Sequence, residues 1–287
     1  VRVMRFLRLG FFLPKFAREM MELLPQHLAK GNLPAKRLAK GEAKGQVGFI
    51  EGCVMQVMFG DTNESSVELL NRDGWDVITP RGQGCCGALY AHSGQLPKAR
   101  DCARRNIAAF ENEPLDAIII NAAGCGSTLV EYGELLKDDP AWAKRAEAFS
   151  AKVKDLVTWL DSSRFALSGS GAKVTYHDAC HLAHAQGITA EPRELVKAKS
   201  GGELVELAES DLCCGSAGSY NLTEPEMASR LQKRKAQNII DSGAEVVVTT
   251  NPGCLLQIQS GLRKAGAHHI RAIHIADYLL EVGTADD

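Results

Sequence analysis

Eight of the nine cysteines fall into two sets with nearly the same spacing, and this repeat limits what the chain can fold into. In each set a single cysteine precedes an adjacent pair, and another single cysteine follows it. The sets are Cys53, Cys85, Cys86 and Cys125, and then Cys180, Cys213, Cys214 and Cys254. Matching members lie 127 to 129 residues apart. A repeat of that length indicates two homologous domains rather than a solenoid, whose repeats are about 20–50 residues long.

The residues beside the cysteines repeat as well. Gly-Cys-Cys-Gly at 84–87 corresponds to Leu-Cys-Cys-Gly at 212–215, and Ala-Gly-Cys at 123–125 corresponds to Pro-Gly-Cys at 252–254. The ninth cysteine, Cys102, aligns with Arg230 in the second half. It lies in a predicted helix without a counterpart, so we interpret it as structural.

Each half alternates short apolar runs with helical stretches, which is typical of strand–helix units around a parallel sheet. The predicted strands are 46–51, 75–79, 117–121, 172–177, 203–207, 245–250 and 270–274, and the predicted helices are 61–73, 97–112, 126–137, 191–199, 224–242 and 254–265. We therefore expect the α/β class, with two tandem homologous Rossmann-like domains and mainly parallel, doubly wound sheets related by the internal repeat.

Charge and composition suggest the domain limits. Residues 1–45 contain ten Lys or Arg against three Glu, which leaves a net charge of −9 on the remainder of the chain. We interpret 1–45 as a basic connector or helical arm, 46–167 as the first cysteine-containing domain and 172–287 as the second. The Ser-Gly-Ser-Gly stretch at 168–171 is the predicted linker.

The cysteines follow the predicted strands. In each half, the first cysteine follows the first strand, the pair follows the second strand and the last cysteine follows the third. Ligands of open α/β sheets bind at the carboxyl ends of the strands, where helix N-termini also favour thiolate over thiol. We therefore expect the four cysteines of each half to converge at one edge of its sheet and bind a metal.

Four thiolates suit either a structural zinc ion or an iron–sulfur cluster, and both remain open at this stage. Structural zinc sites typically use cysteines two to four residues apart, whereas each half here has an adjacent pair and two isolated cysteines. Adjacent side chains diverge, so they reach two irons of a polynuclear cluster more easily than one ion. This favours an iron–sulfur cluster, and the two sites need not hold the same metal.

Three polar residues near the second set are candidates for tuning the metal. His177 and His181 flank Cys180, and Asn251 precedes Cys254 by three residues. A hydrogen bond to a cluster sulfur and a capping or packing role are equally compatible with the two histidines. His274 fits a buried core histidine, and the pair at 268–269 fits the surface.

Other functional classes find no support in the sequence. The net charge of −2 gives no reason to expect a nucleic-acid partner, and the phosphate-binding patterns of nucleotide sites are missing. No stretch reaches the roughly 18 apolar residues of a membrane span. We expect a cytoplasmic location, with the basic segment as a candidate for peripheral contact at the inner face of the membrane.

The sequence resembles the CCG-domain (cysteine-rich domain) family, named for the Cys-Cys-Gly that occurs here at 85–87 and 213–215. It is most similar to the iron–sulfur subunits of glycolate oxidase. That similarity rests on the segments His-Asp-Ala-Cys-His-Leu at 177–182, Glu-Pro-Arg at 191–193, Cys-Cys-Gly-Ser-Ala-Gly at 213–218 and Asn-Pro-Gly-Cys at 251–254. Lactate-utilisation proteins are related, and so are the cysteine-rich subunits of anaerobic glycerol-3-phosphate dehydrogenase and of heterodisulfide reductase.

The resemblance implies [4Fe–4S] clusters at one or both sites, with zinc at one site as the alternative. It also implies a relay of electrons from a flavoprotein dehydrogenase, which oxidises glycolate or a related 2-hydroxy acid, towards a quinone or membrane-associated acceptor. The rival functions are a heterodisulfide-reductase-like catalyst and a zinc-bound assembly scaffold.

Two departures from the family pattern matter. The heterodisulfide-reductase type has a fifth cysteine at the positions of Ala122 and Asn251, so disulfide-cleaving catalysis is disfavoured. The ferredoxin-like domain that precedes these repeats in relatives of the glycolate-oxidase type is missing. We expect either a truncated chain or a separate subunit that supplies those clusters.

Overall fold

A computed structural model describes residues 28–164, 172–201 and 204–281 of the chain. Residues 1–27 of the predicted arm and the predicted linker at 168–171 lie outside the described residues. Residues 36–37, which also belong to the predicted arm, form a short edge strand of the first sheet.

The strands have the following bounds: β1 Lys36–Arg37, β2 Gly45–Phe49, β3 Trp75–Ile78, β4 Ala117–Ile120, β5 Val153–Asp155, β6 Val174–Tyr176, β7 Leu204–Val205, β8 Val246–Thr249 and β9 Arg271–His274. The helices of the first half are α1 Cys53–Met58, α2 Gly60–Arg72, α3 Ala88–His92, α4 Leu96–Phe110, α5 Ala123–Val130, α6 Tyr132–Leu135, α7 Ala143–Lys152 and α8 Leu156–Trp159. Those of the second half are α9 Cys180–Ala183, α10 Ala190–Ser200, α11 Tyr220–Thr223, α12 Pro225–Asp241, α13 Pro252–Lys264 and α14 Ile275–Leu280.

Two sheets repeat one strand order. The first sheet runs β1-β3-β2-β4-β5 and the second β7-β6-β8-β9. Except for the antiparallel edge strand β1, every neighbouring pair is parallel. From β2 the chain passes to β3 on one side and then crosses to β4 on the other, and β6, β7 and β8 follow the same course. This is the order of a doubly wound fold. The predicted fold class and the internal repeat are confirmed.

The central strands are buried on both faces, as their apolar runs predict. Along β4, Ala117 and Ile119 pack in one core cluster, and Ile118 and Ile120 pack in the other. The first of these clusters continues into the second half through β6 and β8. The two halves therefore share one continuous core.

Polar contacts made by side chains also join the two halves. Thr62 Oγ1 donates a hydrogen bond to Asp277 Oδ2 at 2.7 Å. The buried Nε2 of His274 lies 2.9 Å from the Asn121 carbonyl oxygen, and the His274 Nδ1 accepts from the Ala276 amide. The predicted core role of His274 is thus confirmed, and His268 and His269 are exposed as expected.

The prediction missed the fifth strand of the first sheet, β5, and the helix before it, α7. β5 has three residues with an exposed Lys154 between two buried ones, so it lacks the apolar run that marks the other strands. The helix predicted at 126–137 begins earlier, at Ala123, and is interrupted at Glu131.

The buried carboxyl group at the end of β5 makes the stability of the fold depend on pH. Asp155 caps α8 by accepting a hydrogen bond from the Val157 amide, but its other oxygen has no partner among the described residues. Burial raises the pKa of Asp155 to about 7. A group whose pKa is higher in the folded state than in the unfolded state stabilises the fold most below its unfolded-state pKa. This stabilisation is lost as the pH rises through the folded-state pKa.

We therefore predict that the free energy of unfolding falls as the pH rises from about 5.5 to about 8, and that Asp155→Asn removes roughly 2 kcal/mol of that fall. The asparagine keeps the cap but carries no charge. Urea unfolding at both pH values measures the effect. An identical fall in the wild type and the variant would contradict it.

Candidate metal centres

The first four cysteines meet where β2, β3 and β4 end. Cys53 is the first residue of α1, Cys125 is the third residue of α5, and the adjacent pair lies in the loop between β3 and α3. The Sγ atoms of Cys53 and Cys85 lie 3.6 Å apart. Cys86 and Cys125 are hydrogen-bonded to each other as well. The predicted convergence of this set is present in the structure.

The second set repeats this arrangement at the ends of β6, β7 and β8. Cys180 is the first residue of α9, and Cys254 is the third residue of α13. Hydrogen bonds join Cys180 to Cys213 and Cys214 to Cys254. The second set therefore converges in the same way as the first.

A glycine holds the loop of each pair in place. Gly87 and Gly215 have φ of 86° and 91°, and their amides donate to the Sγ atoms of Cys85 and Cys213 at 3.4 and 3.3 Å. A Cβ atom on Gly215 would lie 2.5 Å from the Ala228 carbonyl oxygen. Only glycine combines this left-handed backbone with so close a packed helix.

The pKa values of the first cysteine and of the adjacent pair shift in the same directions in both sets. Hydrogen bonding from Cys53 lowers the pKa of Cys85, and hydrogen bonding from Cys180 lowers that of Cys213. The same pairing and burial raise the pKa values of Cys53 and Cys180. Thiols so close together lose all their protons only when a cation compensates the charge. Each set therefore has the donor chemistry of a metal site.

One cavity of about 410 Å³ contains both sets. Its wall includes all eight cysteines of the repeat together with apolar side chains from both halves, among them Met58, Leu89 and Leu222. Cys53 is exposed, whereas Cys86, Cys214 and Cys254 are buried. Two metal centres placed here would face each other across the same space.

The two sites differ in the polar residues around the thiols. Where the second site has His177, His181 and Asn251, the repeat spacing puts Ile50, Val54 and Ala122 in the first. His177 is fully buried, and apart from the Cys254 thiol its ring nitrogens have no hydrogen-bond partner among the described residues. A buried polar group left without a partner costs about 1–3 kcal/mol.

Asn251 and His181 contact thiols of the second site. Asn251 donates from Nδ2 to the Cys254 Sγ at 3.4 Å, and its Oδ1 accepts from the Gly124 amide of the first half at 3.1 Å. The Nδ1 of His181 lies 3.7 Å from the Cys180 Sγ. All three polar candidates thus lie at the second site; their action on a metal remains a prediction.

Lys235 is a further residue at the second site that the sequence did not indicate. Its Nζ is buried and donates to the carbonyl oxygens of Glu209 and Ser210. Burial lowers the pKa of Lys235, and its electrostatic interaction with the nearby Cys214 acts in the opposite direction. In the sequence Lys235 is one of several charged residues of α12, and no local pattern distinguishes it.

Cys102 lies beside the first site rather than remote from it. The hydrogen bond between Cys102 and Cys85 contributes to the lowered pKa of Cys85. Gly87 contacts Ala99 of α4, and Gly215 contacts Ala228 of α12, so these two helices occupy equivalent places in the two halves. With this alignment, Cys102 corresponds to Leu231. The alignment with Arg230 expected from the spacing is therefore displaced by one residue.

Comparisons with known proteins agree with the repeat. Residues 47–130 and 174–259 each match the family described as "Cysteine-rich domain". Over 91% of its length the chain is 42% identical to the "Probable glycolate oxidase iron-sulfur subunit" of Bacillus subtilis, of which it covers 63%. It is 33% identical to "Lactate utilization protein A" of an Exiguobacterium species, with coverage of 80% of this chain and 94% of that protein.

The chain therefore belongs to the cysteine-rich domain (CCG) family, and the predicted resemblance is confirmed. It covers 58% of the "Glycolate oxidase iron-sulfur subunit" of Escherichia coli, to which 81% of the chain is 35% identical. A crystal structure of a hypothetical protein from Helicobacter pylori shares the fold, with a TM-score of 0.61 over 95% of this chain and 54% of that one, at 13% identity.

We predict that each set of cysteines binds its own metal. Cys85→Ser and Cys213→Ser are each expected to lower the metal content by about half, because each removes one donor from a different set of four. Cys102→Ser is the matched control and is expected to keep the full content. Metal analysis of the purified variants measures this. Loss of metal in Cys102→Ser, or full content in either of the others, would contradict the assignment.

Proposed function

We propose that this member of the cysteine-rich domain family is the iron–sulfur electron-transfer subunit of a flavin-dependent dehydrogenase of glycolate or a related 2-hydroxy acid. It relays electrons from the flavoprotein towards a quinone or membrane-associated acceptor. The observation that carries the proposal is the pair of four-cysteine sites facing one cavity. Two redox centres so close together suit a relay. The names of the relatives from Bacillus subtilis and Escherichia coli support the substrate class.

The residues of the chain would hold an iron–sulfur cluster, in our proposal [4Fe–4S], at one or both sites. The cluster supplies one-electron redox chemistry when bound. The cysteines contribute the ligands, and the amides of Gly87 and Gly215 stabilise thiolate sulfur by hydrogen bonds. Zinc at one site is the alternative for the metal.

The cavity lining supports a relay rather than oxidation of the hydroxy acid on this chain. Among the described residues that line it, His92 and His181 are the only potential cations. An organic carboxylate is usually bound by arginine or lysine. We therefore assign the oxidation to the flavin of a partner subunit.

The mouth of the cavity is apolar, which supports docking of a partner there. Val54, Leu89 and Leu222 line the cavity, and each is between 39% and 52% exposed. Val57 on the same helix as Val54 is 56% exposed. A cluster of exposed apolar side chains around a functional cavity is typical of a protein-interaction surface.

A ferredoxin-like domain or subunit is the second proposed partner. The chain spans 63% of the Bacillus subtilis relative and 58% of the Escherichia coli one, so those proteins contain further sequence. The described part of the chain enters beside α1, where the Gly31 amide donates to the Gln56 carbonyl oxygen at 2.7 Å.

A membrane contact of the complex would be peripheral in our proposal, through the basic segment at 1–45. In the described ranges, the structure contains no helix with the length and apolarity needed to cross a bilayer.

Disulfide reduction is the second candidate function, and the shared apolar cavity is the observation that favours it. The residues three positions before the last cysteines, Ala122 and Asn251, offer no fifth thiol at either site. Turnover of a disulfide substrate by the isolated chain would establish this alternative in place of the relay.

Anaerobic purification followed by iron, sulfide and zinc analysis tests the proposed function. We expect a brown protein with iron and acid-labile sulfide, broad absorption towards the blue and an electron-paramagnetic signal after reduction. A colourless protein that contains only stoichiometric zinc would contradict the relay and support the scaffold.

We also predict that Leu89→Asp lowers the rate of electron transfer from the flavoprotein by roughly tenfold or more, because a charge at the centre of an apolar interface weakens docking. Leu38→Asp is the matched control, since Leu38 is 64% exposed and does not line the cavity. Reduction rates with equal iron contents measure the effect. Equal slowing by both variants would contradict docking at the cavity mouth.

A further inference from the structure

The second site contains a buried imidazole in a position that is apolar in the first. His177 and Ile50 are both fully buried. Their amides make the same backbone bond, since the Ile50 amide donates to Ile119 and the His177 amide donates to Val248, each at 2.9 Å. The two residues therefore occupy equivalent places, and the imidazole is a property of the second site alone.

The imidazole is directed at the thiols. A ring nitrogen of His177 and the Sγ atoms of Cys214 and Cys254 all lie within 4.8 Å of one another, and all three residues are buried. With bonds of about 2.3 Å to sulfur and about 2.0 Å to nitrogen, donors around one tetrahedral metal ion lie roughly 3.5–3.8 Å apart. The imidazole nitrogen therefore lies within about 1 Å of the spacing at which it would join these thiols as a donor to the same metal centre.

The environment of His177 offers its ring nitrogens little hydrogen bonding. Apart from the contact with the Cys254 thiol, neither nitrogen of His177 makes a hydrogen bond to another described residue. Its neighbour Asp178, which could have oriented the ring, instead accepts two hydrogen bonds from Arg193 at 2.7 Å each. Buried polar groups nearly always have a partner, and a metal ion fills that role for a neutral imidazole.

We propose that His177 is a direct ligand of the second metal centre, which then has a mixed cysteine–histidine donor set while the first centre has cysteine alone. The inference rests on the proposed function, because it takes the second centre to be an iron–sulfur cluster. It assigns to His177 an iron–nitrogen bond rather than a hydrogen bond to sulfur.

The two centres also differ in the positive charge and the hydrogen-bond donors around them. Lys235 places a buried ammonium near Cys214 and Cys254, and the helix alignment puts the neutral Asn106 in the corresponding place of the first half. Asn251 donates to Cys254, whereas Ala122 in the first site has no side-chain donor. Positive charge and hydrogen bonds near sulfur stabilise the reduced state. At these two positions the second centre therefore has groups that raise a reduction potential and that the first centre lacks.

Pulsed electron-paramagnetic resonance on the reduced, anaerobically purified wild type tests the bond. We expect a hyperfine coupling from a directly coordinated nitrogen, which changes when the protein is grown with ¹⁵N-histidine. His177→Ile, which copies the first site, is expected to lose this coupling and to shift the potential of the second centre only. His181→Ala and Asn251→Ala are the controls and are expected to retain the coupling.

The possible results distinguish a failure of the His177 assignment from a failure of the proposed function. A protein without iron and sulfide would overturn the proposed function. Iron and sulfide without any histidine nitrogen coupling in the wild type would overturn the ligand assignment alone, and this holds even when His177→Ile fails to fold. Loss of the coupling in His181→Ala, with retention in His177→Ile, would also overturn it.

Discussion

The structure depends on one electrostatic constraint, namely that eight thiols are packed into two groups at the ends of parallel strands. Within a group, interactions between the thiols lower the pKa of Cys85 and Cys213 and raise that of Cys53 and Cys180. Full deprotonation requires a cation in the group. The strands, the glycine-locked loops and the helix N-termini all serve to keep these sulfurs together.

The duplication of the domain also brings the two groups of thiols close together. The shared core and the bond from the Gly124 amide to Asn251 fix the halves against each other. Because both groups face one cavity, two redox centres held there would lie near each other and near any partner at the apolar mouth. His177 stands where the first half has Ile50, so the buried surroundings of the two sites differ.

The repeat, the fold class and the convergence of the cysteines were predictable, because they follow from spacing and from where parallel strands end. β5 was not, since its three residues include an exposed lysine and carry no apolar run. The proximity of Cys102 to Cys85 was also missed. It arises from the close packing of α4 against Gly87, which is a tertiary contact that no local pattern encodes. The same holds for the shared cavity, which depends on how the two sheets are packed.

A redox titration of the anaerobically purified protein, followed by electron-paramagnetic resonance, tests the central claim most directly. When both sites hold a cluster, the protein is expected to take up electrons in two separate one-electron steps. The signals of the two clusters are expected to broaden by spin–spin interaction once both are reduced. A protein that takes up no electrons, or two reduced centres without magnetic interaction, would contradict the account.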